Sequence, residues 1–329
     1  MNLKLKNIGI IEEADIKLDG LTVIAGENDS GKSTVGKVLY SCIKTIKWAS
    51  NTSDKPYCDY FNRYIKNLFN AQISKKGTIN FIYQDLEFNV SIKNDRCDDF
   101  IAPIDFENDE SKATAPIFID SPYIWNIFST LNTIDSLGSR GGNIDFEVNE
   151  TLQDLHFAMK IRLKDSDNKI KLDIHKIIGG QFEENSLGVY TFKKDNQNIE
   201  LINTAMGIKY FGILQVLADK NHLYNGQVLI LDEPEVHLHP KWQLELAKVI
   251  VYLVENGVKI LVNSHSPYMI EALERYSELN GIKDKTNFYL AHNNIIEKIE
   301  DSNSRTLSEI FEKLSEPFDT FENIKSDRL

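Results

Sequence analysis

Hydrophobic and polar positions along this chain fall into three rhythms, each predicting a different kind of element. From Leu3 to Asn7 and from Ala14 to Leu18 they alternate, as strands with one buried face do. Asp19-Gly20 supplies a turn. Leu21-Thr22-Val23-Ile24-Ala25 then runs without alternation, as a strand covered on both faces must. A helix is expected from Lys32 to about Ser50, and an aromatic helical stretch from Tyr57 to Phe69. Thr78 to Ile82 and Leu86 to Ile92 read as a hairpin, and Pro116 to Asp120 as another buried strand. Residues 132–149, with Gly138, Arg140, Gly141 and Gly142, read as a flexible loop. Glu150 to Ile178 follows a helical pattern that Gly179-Gly180 ends. A second hairpin pairs Gly188 to Lys193 with Ile199 to Ile202 around Asp195-Asn196-Gln197-Asn198.

The last third changes to a strand–helix alternation, the signature of a parallel α/β sheet. The helix Met206 to Ala218 precedes the strand Gln227 to Asp232, the helix Pro240 to Glu255 and the strand Val258 to Asn263. After the helix Pro267 to Ser277, Asn287 to Leu290 and Ile295 to Ile299 close the sheet. The tail from Glu309 to Leu329 is acidic, helical at first and then frayed. The expected division is 1–130 and 203–300 for two parts of one head, 131–202 for an inserted helical and hairpin subdomain, and 301–329 for the tail.

The strand–helix junction at Gly26 to Thr34 carries the chemistry. Gly26-Glu27-Asn28-Asp29-Ser30-Gly31-Lys32-Ser33-Thr34 fits G-x-x-x-x-G-K-[ST]. Between a strand and a helix, such a loop closes backbone N–H groups, those of Asn28 and Ser30 among them, around a polyphosphate at the positive end of the helix. Lys32 reaches the β- and γ-phosphates, and Ser33 ligates Mg²⁺. A chance match to a Gly/Ser turn is the bland alternative, which the flanking elements disfavour.

Val228 to Pro234 runs as an apolar strand into two carboxylates. Strand carboxyl ends face the ligand crevice of an open α/β sheet. There Asp232 would hold Mg²⁺, and Glu233 would deprotonate the attacking water. Ile260 to Pro267 ends the neighbouring strand in Ser264-His265-Ser266, so that His265 can meet the γ-phosphate at the crevice rim. For either segment the bland reading is a capped turn or a structural histidine.

With the Leu231-Asp232-Glu233-Pro234-Glu235-Val236-His237-Leu238-His239-Pro240 box, these segments resemble ABC-type ATPases. The likeness is to the soluble branch that includes overcoming-lysogenization-defect (OLD), RecF and SMC-like proteins, and within it to bacterial AAA family ATPases, several of which act in anti-phage defence. It covers roughly residues 1–45 and 200–300. It implies an α/β P-loop NTPase with an ABC-ATPase-like head, in which a mixed β-sheet lobe joins a parallel core sheet flanked by helices. It also implies ATP and Mg²⁺, slow hydrolysis, and a homodimer sandwiching nucleotide between its heads. Asn203-Thr204-Ala205-Met206-Gly207-Ile208-Lys209 is the nearest match to the loop such proteins offer across the dimer. Gly207 would contact nucleotide there, while Ala205 stands where the family has serine. No glutamine matches the family's Q-loop; Asp120-Ser121-Pro122 lies about where one would sit.

Only 200 residues separate Lys32 from Asp232, too few for long coiled-coil arms, and a compact insertion is the simpler reading. Lys160, Arg162, Lys164, Lys169, Lys171 and Lys176 alternate with Asp165, Asp167 and Asp173, a solvated mixed-charge face more than a phosphate track. Beyond His265 no acidic nuclease cluster is legible, so any cleavage would fall to a separate effector protein such as a nuclease. The chain has 329 residues and a formal net charge of −12, which argues against an all-round nucleic-acid surface. Cys42, Cys58 and Cys97 suggest no disulfide framework, and neither a signal sequence nor a membrane span is evident, so a cytoplasmic protein without membrane contact is expected. Three classes compete: a nucleotide-gated switch for an effector, favoured by resemblance; a RecF/SMC-like ATPase acting directly on DNA in repair; and, weakest, a transporter's nucleotide-binding subunit.

Overall fold

The computed structural model describes residues 1–49, 56–70, 72–103, 114–138, 148–164, 170–186 and 188–326. The first part comprises β1 (Asn2–Ile8), β2 (Ile11–Lys17), β3 (Leu21–Gly26), α1 (Lys32–Ala49), α2 (Tyr57–Phe69), β4 (Lys76–Tyr83), β5 (Leu86–Lys93) and β6 (Arg96–Ile101). The middle holds β7 (Ile117–Ile119), α3 (Ile124–Gly138), α4 (Glu150–Lys160), the single turn α5 (His175–Ile178), β8 (Gln181–Glu184), β9 (Tyr190–Lys194) and β10 (Gln197–Glu200). Then come α6 (Met206–Asp219), β11 (Val228–Asp232), α7 (Pro240–Glu255), β12 (Lys259–Ser264), α8 (Pro267–Leu279), β13 (Thr286–His292), β14 (Ile295–Glu297) and α9 (Asn303–Ser326).

Eleven strands form one sheet in the order β6-β5-β4-β1-β2-β14-β13-β3-β12-β11-β7. From β13 to β7 all neighbours are parallel, and from β6 to β2 all are antiparallel, so a mixed lobe grows from a parallel core. All of β3 is buried, because alternate residues enter different cores. Leu21, Val23 and Ala25 pack with Leu229, Leu231, Ile260 and Val262 on one face. Ile24 packs with Ile230 and Leu261 beneath α1 on the other. β8, β9 and β10 form a separate three-stranded sheet.

Local chemistry explains the element ends. Pro240 and Pro267 open α7 and α8, where a missing N–H does no harm. The His239 ring accepts from Lys241 N at 3.2 Å, and Asn149 Oδ1 caps α4 through Thr151 N at 3.0 Å. Four hairpins turn on residue pairs with positive φ: Gln84-Asp85, Asn94-Asp95, Asp195-Asn196 and Asn293-Asn294. These are tight two-residue turns whose twist suits the strands they join, with Asn and Asp standing in for glycine.

Several expectations need correction. The segment expected to be a loop from residue 132 begins inside α3, whose apolar positions Ile124, Trp125, Phe128 and Leu131 are buried despite a Ser/Thr/Asn-rich composition; Arg140, Gly141 and Gly142 lie outside the described residues. The single helix expected over 150–178 is instead α4, an extended stretch and α5. Tertiary bonds hold the chain open after Lys160: Leu163 N donates to Lys220 O at 3.0 Å, and His222 Nε2 meets Ile161 O at 2.7 Å. β6 and β8, polar and short, have no counterpart among the expected strands. On the mixed-charge face, Lys160 pairs with Asp135 at 2.9 Å and Lys176 with Asp173; Asp165, Asp167 and Lys169 lie outside the described residues. The tail is helical from Asn303 to Ser326.

The cysteines also depart from expectation. Cys58 on α2 and Cys97 on β6 form a disulfide, 39 residues apart in sequence, while Cys42 is free and buried. The expectation that these cysteines form no disulfide therefore falls. No helix among the described residues is long and apolar enough to cross a membrane.

Candidate functional site: a nucleotide crevice at the strand ends

The parallel register brings four strand ends level, those of β7, β11, β12 and β3. Asp232 pairs with Asn263, Leu231 with Ile119, and Ser264 with Ala25. The loop after β3, the carboxylates after β11 and the Ser-His-Ser turn after β12 therefore open on one crevice, as strand order in open α/β sheets dictates.

Gly26 ends β3 and Lys32 opens α1, with Asn28 exposed at the loop tip between them. Gly31 has φ +91°, and a Cβ there would lie 2.7 Å from Ile11 Cγ1, so neither the conformation nor the contact admits a side chain. Ser30 Oγ donates to Glu27 O at 2.7 Å and steadies the loop. Thr34 faces Gly9 of the β1–β2 turn. Lys32 is only 3% exposed. Its Nζ donates to Gly26 O at 3.0 Å and Glu27 O at 2.5 Å, which arches it back over the loop. Burial lowers its pKa, against the pull of Glu233, Asp232, Glu235 and Glu27. A cation held among carbonyls and carboxylates in this way suits an arriving phosphate.

Ser33 Oγ donates to Asp232 Oδ1 at 3.1 Å, and Asn263 Nδ2 donates to the same oxygen at 2.7 Å. Glu233 leaves β11 with φ +48°, a left-handed conformation unusual outside glycine, and its N–H donates to Asn263 O at 2.9 Å. The bend sets the Glu233 carboxylate 3.5 Å from His265 Nδ1. Lys32, Ser33, Asp232, Glu233 and His265 are thus brought together as the sequence suggested.

Gly207 is placed differently. It opens α6 against its own chain, where a Cβ would lie 3.0 Å from the Trp242 ring and 3.1 Å from His237 O. The glycine permits close packing of α6 on the first turn of α7 and the loop before it. Lys209 is buried and gives its ammonium to Asn126 Oδ1 at 2.7 Å. Ala205 stays exposed just before the helix.

Three residues join the site that motif reading did not assign. Glu235 is 3% exposed, and its Oε1 accepts from Ser264 Oγ at 2.6 Å, His265 N at 2.9 Å and Ser266 N at 3.2 Å. One buried carboxylate thus pins the histidine loop to the β11–α7 turn. Asn263 orients Asp232; its signal was only its place at the end of an apolar run. Asp120 ends β7 and lines a cavity of about 340 Å³ with Ser33, Asp232, Glu233, Tyr210 and His237. Desolvation in that cleft, reinforced by Asp232, raises the Asp120 carboxyl above its ordinary pKa.

Buried polar atoms without a hydrogen-bond partner among the described residues gather here: Tyr210 hydroxyl, Glu235 Oε2, Asn263 Oδ1 and His265 Nδ1. Such atoms are rare in folded proteins, and a cluster calls for a bound polar group. The Ser33 and Asp232 oxygens beside them are hard donors of the type Mg²⁺ selects, in a crevice where phosphates supply further oxygens.

The fold is that of a P-loop NTPase with an ABC-ATPase-like head, in which a mixed lobe and a parallel core sheet flanked by helices carry a small helical and hairpin insertion. The family described as "AAA domain, putative AbiEii toxin, Type IV TA system" matches residues 21–271, and the chain belongs to it. It is similar to the Old nuclease of Escherichia phage P2, with 25% identity over 171 residues, 52% of this chain and 28% of that protein. It is also similar to the Septu protein PtuA of Bacillus thuringiensis, 39% identical over 49 residues, 15% of this chain and 12% of that protein. The matched region thus spans less than a third of either relative. Among solved structures, an SMC head bound to the C-winged helix domain of ScpA superposes with a TM-score of 0.50 at 13% identity, covering 91% of this chain and 98% of that one. That likeness is one of fold.

Proposed function

We propose that this protein binds ATP with Mg²⁺, hydrolyses it slowly, and dimerises around it as a switch for a separate effector protein in anti-phage defence. The observation that carries the reading is the junction at Asp232, where one carboxylate oxygen meets both Ser33 and Asn263 directly below the Lys32 loop. In this reading the loop amides and Lys32 hold the phosphates, while Ser33 and Asp232 hold the metal. Bound Mg²⁺ would neutralise charge on the phosphate oxygens. Glu233 takes a proton from the attacking water, and its bent backbone and His265 fix where that carboxylate points. Glu235 keeps His265 at the rim.

Slow turnover follows from the loop offered to a second head. Ala205 lacks the hydroxyl, and Lys209 is engaged with Asn126 of its own chain. Gly207 would contact nucleotide across the dimer only if its packing on Trp242 leaves the backbone N–H free. An effector such as a nuclease, and a cytoplasmic setting, belong to the same proposal and rest on family likeness. Direct action on DNA is the alternative; the net charge of −12 gives it no support.

Glu233→Gln tests the mechanism, since it preserves shape and removes the base. Size exclusion after incubation with ATP should show a dimer that persists once wild type has hydrolysed its nucleotide and returned to monomer. A variant that stays monomeric with ATP bound refutes the sandwich.

A further inference from the structure

Tyr210 lies in the first turns of α6, yet it lines the crevice at the strand ends beside Ser33 and Asp232. It is 2% exposed and lines the cavity shared by Ser33, Asp120, Asp232 and Glu233. Its hydroxyl is buried and has no hydrogen-bond partner among the described residues. Burial, with the charges of Glu235, Asp232 and Asp120 around it, holds the phenol's pKa far above its ordinary value, so the group keeps its proton and is a donor.

A structural tyrosine of this kind normally ends on a carbonyl or carboxylate. Tyr190 shows the ordinary case in this same protein: its hydroxyl donates to Met159 O at 2.9 Å. Tyr210 has the burial without the partner, and the cavity this residue lines is also lined by the oxygen-bearing side chains of Ser33, Asp120, Asp232 and Glu233. A partnerless buried hydroxyl is unfavourable and is retained at no benefit unless something else binds it.

We propose that the Tyr210 hydroxyl is a positioning group for the metal–phosphate water shell, donating to a water held between it and the Asp120 and Asp232 carboxylates. This inference rests on the ATP-binding reading. It adds a mechanical consequence, because Tyr210 shares α6 with Gly207 and Lys209. Gly207 packs on Trp242, and the Lys209 ammonium is anchored on Asn126. Metal-bound nucleotide would therefore draw on the helix whose start is offered to the second subunit, and each head would report its own occupancy to its partner.

Tyr210→Phe removes the hydroxyl and keeps the ring. The test is thermal unfolding of the full chain, without nucleotide, with ADP in EDTA, and with ATP across a Mg²⁺ titration. The expected result is an unchanged or slightly higher midpoint without nucleotide, an unchanged ADP shift in EDTA, and a roughly five- to tenfold higher Mg²⁺ concentration for the half-maximal ATP shift. A variant that loses stability without nucleotide but keeps the wild-type Mg²⁺ dependence would show a structural hydroxyl and overturn the inference. So would a variant matching wild type in all three conditions. If wild type itself gains no stability from ATP and Mg²⁺, the ATP reading falls and takes this inference with it; if only the Phe comparison fails, the ATP reading stands.

Discussion

Removing the Glu235 carboxylate should unsettle this protein more than removing either carboxylate of the Asp232-Glu233 pair. In Glu235→Ala the N–H groups of His265 and Ser266 and the Ser264 hydroxyl all lose the carboxylate oxygen they donate to. Ser266 N–H keeps a second acceptor, Ser264 Oγ at 3.1 Å, so the donors left stranded are the His265 N–H and the Ser264 O–H. Each stranded buried donor costs about 1–3 kcal/mol, so the loss is about 2–6 kcal/mol. That is a large part of a total stability of about 5–15 kcal/mol. Glu235→Gln behaves differently, because all three bonds fall on Oε1 and an amide oxygen can accept them. Lost charge assistance is offset by relief of a buried carboxylate whose Oε2 has no partner, leaving about 1 kcal/mol net. Urea unfolding followed by circular dichroism measures both variants. If Glu235→Ala lies within 1 kcal/mol of wild type, or Glu235→Gln is equally damaging, the account of this loop is wrong.

Two further outcomes follow from buried cations and imidazoles. Lys32→Ala should abolish ATP binding in calorimetry while leaving the fold intact, and unchanged affinity would overturn the phosphate-loop assignment. His156 and His222 are buried, and burial depresses both pKa values below 6.5. Between the folded and unfolded values the unfolded chain holds more protons, so stability rises with pH there. It is complete above about pH 6.5 and is lost as pH falls through the folded values, by ~1.4 kcal/mol per unit of depression at each site. Unfolding midpoints at pH 7.5 and 5.5 should differ more for wild type than for the His156→Gln/His222→Gln double variant; equal differences would count against the assignment.

Sequence alone determined what depends on neighbouring residues. The phosphate loop needs a strand, small flexible residues and a helix start in immediate succession, and residues 21–49 supply them. The strands of the parallel core were legible because burial on both faces demands uninterrupted apolar runs such as Val228 to Leu231. Hairpins closed by Asn and Asp pairs were legible for the same local reason, although the turn at Asp195-Asn196 is shorter than its four polar residues suggested. Asp232, Glu233 and His265 could be named because each ends such a run at the side where a parallel sheet exposes its crevice.

What depends on distant parts of the chain was decided only by tertiary structure. Ile161 leaves the helix because His222 and Lys220 offer bonds from another element, which no local propensity reveals. Cys58 and Cys97 come together because α2 packs on β6, an edge strand too polar to stand out. Glu235, Asn263 and Tyr210 belong to the crevice through contacts spanning from 29 to 31 residues in the hydrogen bonds of the first two, and through helix placement for Tyr210. Gly207 shows the division most clearly. Its sequence setting predicts a loop offered across a dimer, a role one chain does not test, while the packing of the same glycine on Trp242 is a contact no local pattern gives. Local patterns specify elements and their ends, but the partner of a buried polar atom is set by which ends the fold brings together.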